Sequence, residues 1–184
     1  MSFLRVFLIS MAVGAGSVLA FAALQPAPPE RPSRASVTHT LIEGVGVRSQ
    51  IGTADIARLR DLGYRTIVDL RPDGEVAGQP SSQEVGTAAR DGGMSFAYVP
   101  TPHGTIPDAV VADLSRVLAT AERPVMLYCR SGKRAARVWA LAEAARSGGA
   151  DAGTIATAVK AAGQPVDDIM ARIVERVAQR RPAS

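Results

Sequence analysis

Short apolar, β-branched runs alternate with helix-length amphipathic segments along most of this chain, and that alternation restricts its fold more than any other feature. Residues 66–70 (Thr-Ile-Val-Asp-Leu) and 124–128 are compact apolar runs of strand length. Residues 95–99 form a third, and residues 41–48 read as a short strand or hairpin around Gly44 and Gly46. Helix signals lie between them. Thr53 reads as a cap with Asp55 in the first turn, Ile56, Leu59 and Leu62 line one face, and Gly63 stops the helix. Ser81 and Glu84 have capping-box spacing for a helix ending near Gly92 and Gly93. Thr105, Ile106, Pro107 and Asp108 read as a second box with proline at the first helical position. Val110, Leu114, Val117, Leu118 and Ala121 then mark the buried face. After Gly132 the chain turns helical through Ala135, Val138, Trp139 and Ala142 and breaks at Gly148 and Gly149. Two more helices, about 154–162 and 166–180, are separated by Gly163 and Pro165.

Strands spaced by helices of this length pair in parallel through right-handed crossovers. The predicted class is therefore α/β, with a mostly parallel central sheet flanked by helices. Ligands of such sheets gather at the carboxyl ends of the strands. Cys129, the only cysteine, directly follows the run 124–128 and so stands at one of those ends.

A lone cysteine excludes an internal disulfide and a Cys-rich zinc site. His39 and His103 are the only histidines, too few to suggest a His-based metal centre. The glycines match neither a dinucleotide nor a nucleoside-triphosphate fingerprint, so neither metal nor cofactor is expected. The formal net charge of +4 is a mild excess. Its basic residues are mostly scattered singly and do not interleave with aromatics, which argues against nucleic-acid binding.

What surrounds the cysteine suits a thiolate. Cys129-Arg130-Ser131-Gly132-Lys133-Arg134 puts three cations within five residues, on a tight loop leading into a helix. Cationic neighbours and a helix N-terminus both favour the thiolate, and backbone N–H groups there form an anion nest. Gly132 permits the backbone turn that closes the loop. Cations at a helix N-terminus oppose its dipole and make sense if an anion binds. Cys129 and Arg134 are thus the candidate catalytic pair, with Arg130, Ser131, Gly132, Lys133 and Ala135 around the anion. Asp69, Arg71 and His103 are accessory candidates. Asp69 is expected to brace the Cys loop through backbone N–H groups, and Arg71 to reach the anion or pair with Asp73 or Glu75.

The front of the chain reads as an address. Residues 6–24 carry no charge and follow Arg5, the layout of a secretory signal, with an Ala-x-Ala site ending at Ala22. Nineteen residues also suffice for a membrane-spanning helix. Residues 1–25 are therefore expected to be a signal peptide or an anchoring apolar helix, residues 26–36 a Pro-rich linker, and residues 37–184 the catalytic domain. Either reading places that domain in the cell envelope, periplasmic and free or tethered to the membrane.

Residues 128–134 followed by Trp139-Ala140-Leu141-Ala142, together with Asp69-Leu70-Arg71-Pro72-Asp73-Gly74-Glu75, resemble two markers of the β-lactamase-hydrolase-like protein, phosphatase-like domain family of bacteria. The resemblance covers about residues 37–163. It implies a fold like the dual-specificity protein tyrosine phosphatases, and family members are described as phosphatases or as rhodanese-like sulfurtransferases. Two departures bear on that choice. Phosphatase loops of this kind have the form Cys-x5-Arg after a His, whereas Arg134 gives Cys-x4-Arg here and Tyr128 precedes the cysteine. The loop 101–105 also lacks the Asp that such phosphatases use as leaving-group acid, with His103 as the titratable residue in its place. The expected function is consequently sulfur transfer from a small anionic donor through a Cys129 persulfide. The alternative is a phosphatase acting on a phosphoester through a phosphocysteine. A second alternative is an anion-binding or interaction domain without turnover.

Overall fold

The computed structural model describes residues 38–180. The apolar segment, the Pro-rich linker and the expectation of a signal or anchor lie outside them. Among the described residues no helix is long and apolar enough to cross a membrane.

Five strands form one sheet in the order β1 (His39–Ile42), β2 (Val45–Arg48), β5 (Val125–Tyr128), β3 (Thr66–Asp69), β4 (Ser95–Tyr98). β1 and β2 are an antiparallel hairpin; every other pairing is parallel. The helices are α1 (Ile56–Asp61), which follows a 3-10 turn at Thr53–Asp55, α2 (Ser82–Asp91), α3 (Asp108–Thr120), α4 (Lys133–Ala145), α5 (Ala152–Ala161) and α6 (Met170–Gln179).

β3 and β5 are buried along their whole length, which explains why they read as continuous apolar runs rather than alternating ones. Successive side chains still point to opposite faces. Val68, Val125 and Leu127 join the larger core with Leu114 of α3, Trp139 and Leu141 of α4, Ile155 of α5 and Ile173 of α6. Ile67, Met126 and Tyr128 join a smaller core with Ile56, Leu59, Val85 and Ala89 from α1 and α2.

The register makes the strands end level. Tyr128 lies opposite both Arg48 and Asp69, and Asp69 lies opposite Tyr98. The loops after four strands therefore leave from one edge, and backbone bonds hold them there. Leu70 N–H donates to the Tyr128 carbonyl at 2.9 Å, Val99 N–H to Asp69 at 2.8 Å, and Thr101 N–H to Leu70 at 3.1 Å.

Three helix ends differ in detail from the sequence reading. Ser81 and Glu84 do form the expected box, each accepting the other's backbone N–H. At the first helix, however, Gly52 and not Thr53 takes the cap position, and its N–H donates to Asp55 at 2.9 Å. Leu62 is 60% exposed because α1 stops at Asp61 and the chain turns away through Gly63. Ahead of α3, Pro107 is the cap residue and no Thr105–Asp108 box forms. The Asp108 carboxylate is taken by Arg172 and Arg176 of α6, at 2.8 and 2.5 Å.

The hairpin packs closely where it carries glycine. A Cβ on Gly46 would lie 2.5 Å from the Tyr64 hydroxyl and 3.2 Å from the Met126 terminal methyl. Gly46→Ala is expected to cost about 1–3 kcal/mol through overpacking, seen as a lower urea midpoint with an unchanged slope.

Candidate active site

Cys129 leaves β5 between its neighbours β2 and β3, in the middle of the level edge, and is 1% exposed. The loop after it is pressed against β2 and the segment between α5 and α6. Gly132 has φ +87° and caps α4; a Cβ there would lie 3.3 Å from the Gln164 amide nitrogen and 3.4 Å from the Arg48 carbonyl oxygen. Both the backbone angle and the space thus call for glycine. Gln164 donates to the Ser131 carbonyl at 3.3 Å. The first N–H groups of α4 have no acceptor within the helix, and α4 begins four residues after the thiol.

Arg134, in the first turn of α4, is buried and points back over this loop. Its Nη1 and Nη2 donate to the two carboxylate oxygens of Glu75 at 2.5 and 2.8 Å, and Nη1 also donates to the Thr101 carbonyl at 2.8 Å. The Cys129 sulfur lies near the same guanidinium, outside strict hydrogen-bond geometry. Arg71 approaches from the loop after β3, with Nε donating to Glu75 at 2.9 Å and Nη1 to the Gln50 side-chain oxygen at 2.5 Å. His103 lies on the other side, its Nε2 3.1 Å from Glu75 and its imidazole 72% exposed. The structure therefore gathers Arg134, Arg71 and His103 around one carboxylate, with Cys129 on the Arg134 side.

The remaining candidates are placed differently. Asp69 is on the α1–α2 face and accepts the Arg71 N–H at 2.8 Å, so it braces its own loop instead of the Cys loop. Its carboxyl also faces the buried Tyr128 hydroxyl, outside strict hydrogen-bond geometry. Arg130, Ser131 and Lys133 are exposed. The Ala135 methyl is packed in the larger core, which leaves only its backbone for an anion.

Glu75 is the functional residue that sequence reasoning undervalued. Its spacing from Arg71 suggested a local ion pair, and that pair is present. Nothing in the spacing announces the second grip, from Arg134 at 59 residues' distance. Gln50 and the Thr101 carbonyl were likewise invisible, for they meet the site only through the sheet register.

These contacts set the charges. The Arg134 hydrogen bonds, against the opposing effect of burial and with help from Arg71, hold the Glu75 carboxyl down at about 2. Burial works to lower the Arg134 guanidinium, but Glu75 and Cys129 outweigh it and raise it. Burial lifts Asp69 to about 6, and burial followed by the Asp69 charge raises the Tyr128 hydroxyl. Arg71 and Arg134 bring two positive charges and Glu75 one negative charge. A second negative charge, whether thiolate or incoming anion, balances the cluster.

Residues 38–146 match the model of the family described as beta-lactamase hydrolase-like protein, phosphatase-like domain. The chain belongs to that family. A curated relative, the beta-lactamase hydrolase-like protein of Xylella fastidiosa, is 36% identical over 101 residues, which is 55% of this chain and 23% of the relative. The chain thus spans about a quarter of that relative's length. A solved structure assigned as a candidate phosphatase from Neisseria meningitidis is 27% identical with a TM-score of 0.66, covering 75% of this chain and 96% of its own. Kinase associated phosphatase, solved with its catalytic-site cysteine replaced by serine, shares the fold at 14% identity and a TM-score of 0.61, over 83% of this chain and all of its own. This phosphatase-like domain thus has the mostly parallel α/β architecture of the tyrosine-phosphatase fold. The relatives favour the phosphatase alternative, and the sulfur-transfer expectation draws no support from them.

Asp69 gives this site a pH signature. Its folded value of about 6 lies above the ordinary 3.8, so the folded chain keeps a proton that the unfolded chain has released. The stability this contributes is complete below about pH 4 and is lost as pH rises through 6. Asp69→Asn is expected to flatten that decline, and to be at least as stable as the parent above pH 7, in urea midpoints measured from pH 4 to 8.

Proposed function

We propose that this domain hydrolyses phosphomonoesters with Cys129 as nucleophile. The observation that carries the reading is the two-pronged grip of Arg134 on the Glu75 carboxylate beside the Cys129 sulfur. A guanidinium holds two oxygens of a phosphoryl group in the same way. Glu75 occupies the seat that the substrate's phosphoryl takes, and a substrate displaces it.

Once seated, the phosphoryl group faces the thiolate. The Cys129 sulfur attacks phosphorus, the bond from phosphorus to the ester oxygen breaks, and that oxygen leaves as an alcohol with a proton from protonated His103. Arg134, Arg71 and the first N–H groups of α4 stabilise the charge on the transferring oxygens. Water then attacks the phosphocysteine and gives one proton to His103, the sulfur–phosphorus bond breaks, and the thiolate returns as hydrogen phosphate leaves with the other water proton. His103 suits its role because it is an exposed titratable side chain beside Glu75.

Sulfur transfer is the second reading. Arg134 stands at the fifth position after Cys129, a shorter loop that suits a persulfide better than a phosphoryl group. For either chemistry we propose the cell envelope as the place of action, on the strength of the apolar segment at residues 6–24.

With the full chain, phosphate release from para-nitrophenyl phosphate is the expected result, and Cys129→Ser is expected to lower it by about three orders of magnitude or more. Thiocyanate formation from thiosulfate and cyanide, without phosphate release, would transfer the assignment to the second reading. Activity retained in Cys129→Ser would defeat both. Glu75→Gln frees the seat, so orthophosphate is expected to inhibit that variant about tenfold more tightly. Unchanged or weaker inhibition would mean that phosphate does not take the place of the Glu75 carboxylate.

A further inference from the structure

Next to the phosphoryl seat, the first turns of α4, the loop after β4 and the start of α6 enclose a groove of about 580 Å³. Its chemistry is set by His103, Lys133, Arg134, Arg137, Asp168 and Arg172. Arg134 and His103 belong to the candidate site as well, so the groove is continuous with it. Lys133 and Arg137 are four residues apart on α4 and lie on one face of the helix, about 6 Å from each other at Cβ.

The groove holds more positive charge than its carboxylates neutralise. Asp168 is its one lining carboxylate, and it pairs with Arg137. Outside the lining, Asp108 is shared between Arg172 and Arg176, which leaves one guanidinium charge in excess. Lys133 has no ion pair among the described residues. Lys133 therefore faces this space as an unbalanced positive charge, together with Arg172, which has only a share in Asp108. Arg137 also lines the groove, with its side chain 13% exposed and its guanidinium held by Asp168.

We infer that this groove receives a leaving group that itself carries phosphate, so that the substrate is a small, multiply phosphorylated molecule. The inference rests on the phosphatase reading of the neighbouring thiol. One phosphoryl group sits at Arg134 while a second, about one helical turn away, meets Lys133, Arg137 and Arg172. The volume fits a small molecule.

Binding separates this inference from the reading it rests on. Cys129→Ser full-length protein is titrated calorimetrically with inorganic orthophosphate and with tripolyphosphate, at low and at moderate salt. Tripolyphosphate is expected to bind at least about tenfold more tightly than orthophosphate, with a margin that shrinks as salt rises. Lys133→Ala and Arg172→Gln, each made in that background, are expected to narrow the ratio several-fold. Equal affinity for the two anions, or a ratio that neither variant moves, would overturn the inference. Aryl phosphate hydrolysis by the unaltered protein is followed in parallel. Hydrolysis with a ratio near one removes the polyphosphate groove alone; a high ratio without hydrolysis keeps the polyanion site and removes the phosphatase reading.

Discussion

One carboxylate shared between two buried guanidiniums holds the working edge of this domain together. Glu75 draws the loop after β3 towards α4, and through the Thr101 carbonyl Arg134 ties in the loop after β4. Buried charges are expensive unless they are matched, and removing one partner of such a set typically costs several kcal/mol because the other stays uncompensated. The three segments consequently depend on one another, and the thiol at their centre inherits its surroundings from all of them. Gln50 fixes Arg71 from the β2 side, so the loop after the hairpin takes part too.

The sheet makes this convergence possible. Its four parallel strands end in register, and backbone bonds continue the ladder for one or two residues beyond. Charged side chains from distant parts of the sequence therefore emerge at the same height. The two faces divide the labour: one buries the helices that carry the thiol loop, while the other holds Asp69 and Tyr128 under α1 and α2. A carboxyl on the second face titrates by burial, and one at the edge is held ionised by guanidiniums. Asp69 and Glu75 are only six residues apart, yet their environments push them in opposite directions.

Much of this was legible in the chain. Residues 66–70 and 124–128 are buried on both faces, so their apolar runs were unmistakable and placed Cys129 at a strand end. The Ser81–Glu84 box is built from neighbours in sequence and formed as read. Errors arose where a distant partner competed. The capping role assigned to Asp108 yielded to two arginines of α6, and Asp55, which does bond the cap residue, is also engaged by Arg48. The site shows the same division. Arg134 was readable from its place after the thiol, but the Glu75 grip spans separate loops and depends on register. Loop length alone favoured a persulfide, whereas the family model and the structural relatives are phosphatase-like.

The near-complete burial of Cys129 also matters for its survival. Oxidation of a thiolate follows its exposure, and Cys129 is 1% exposed. The sequence contains no second cysteine to capture a sulfenic acid as an internal disulfide. Rescue would fall to outside thiols, failing which further oxidation is irreversible. Burial therefore acts as chemical armour for a thiol that has no second cysteine in this sequence to repair it.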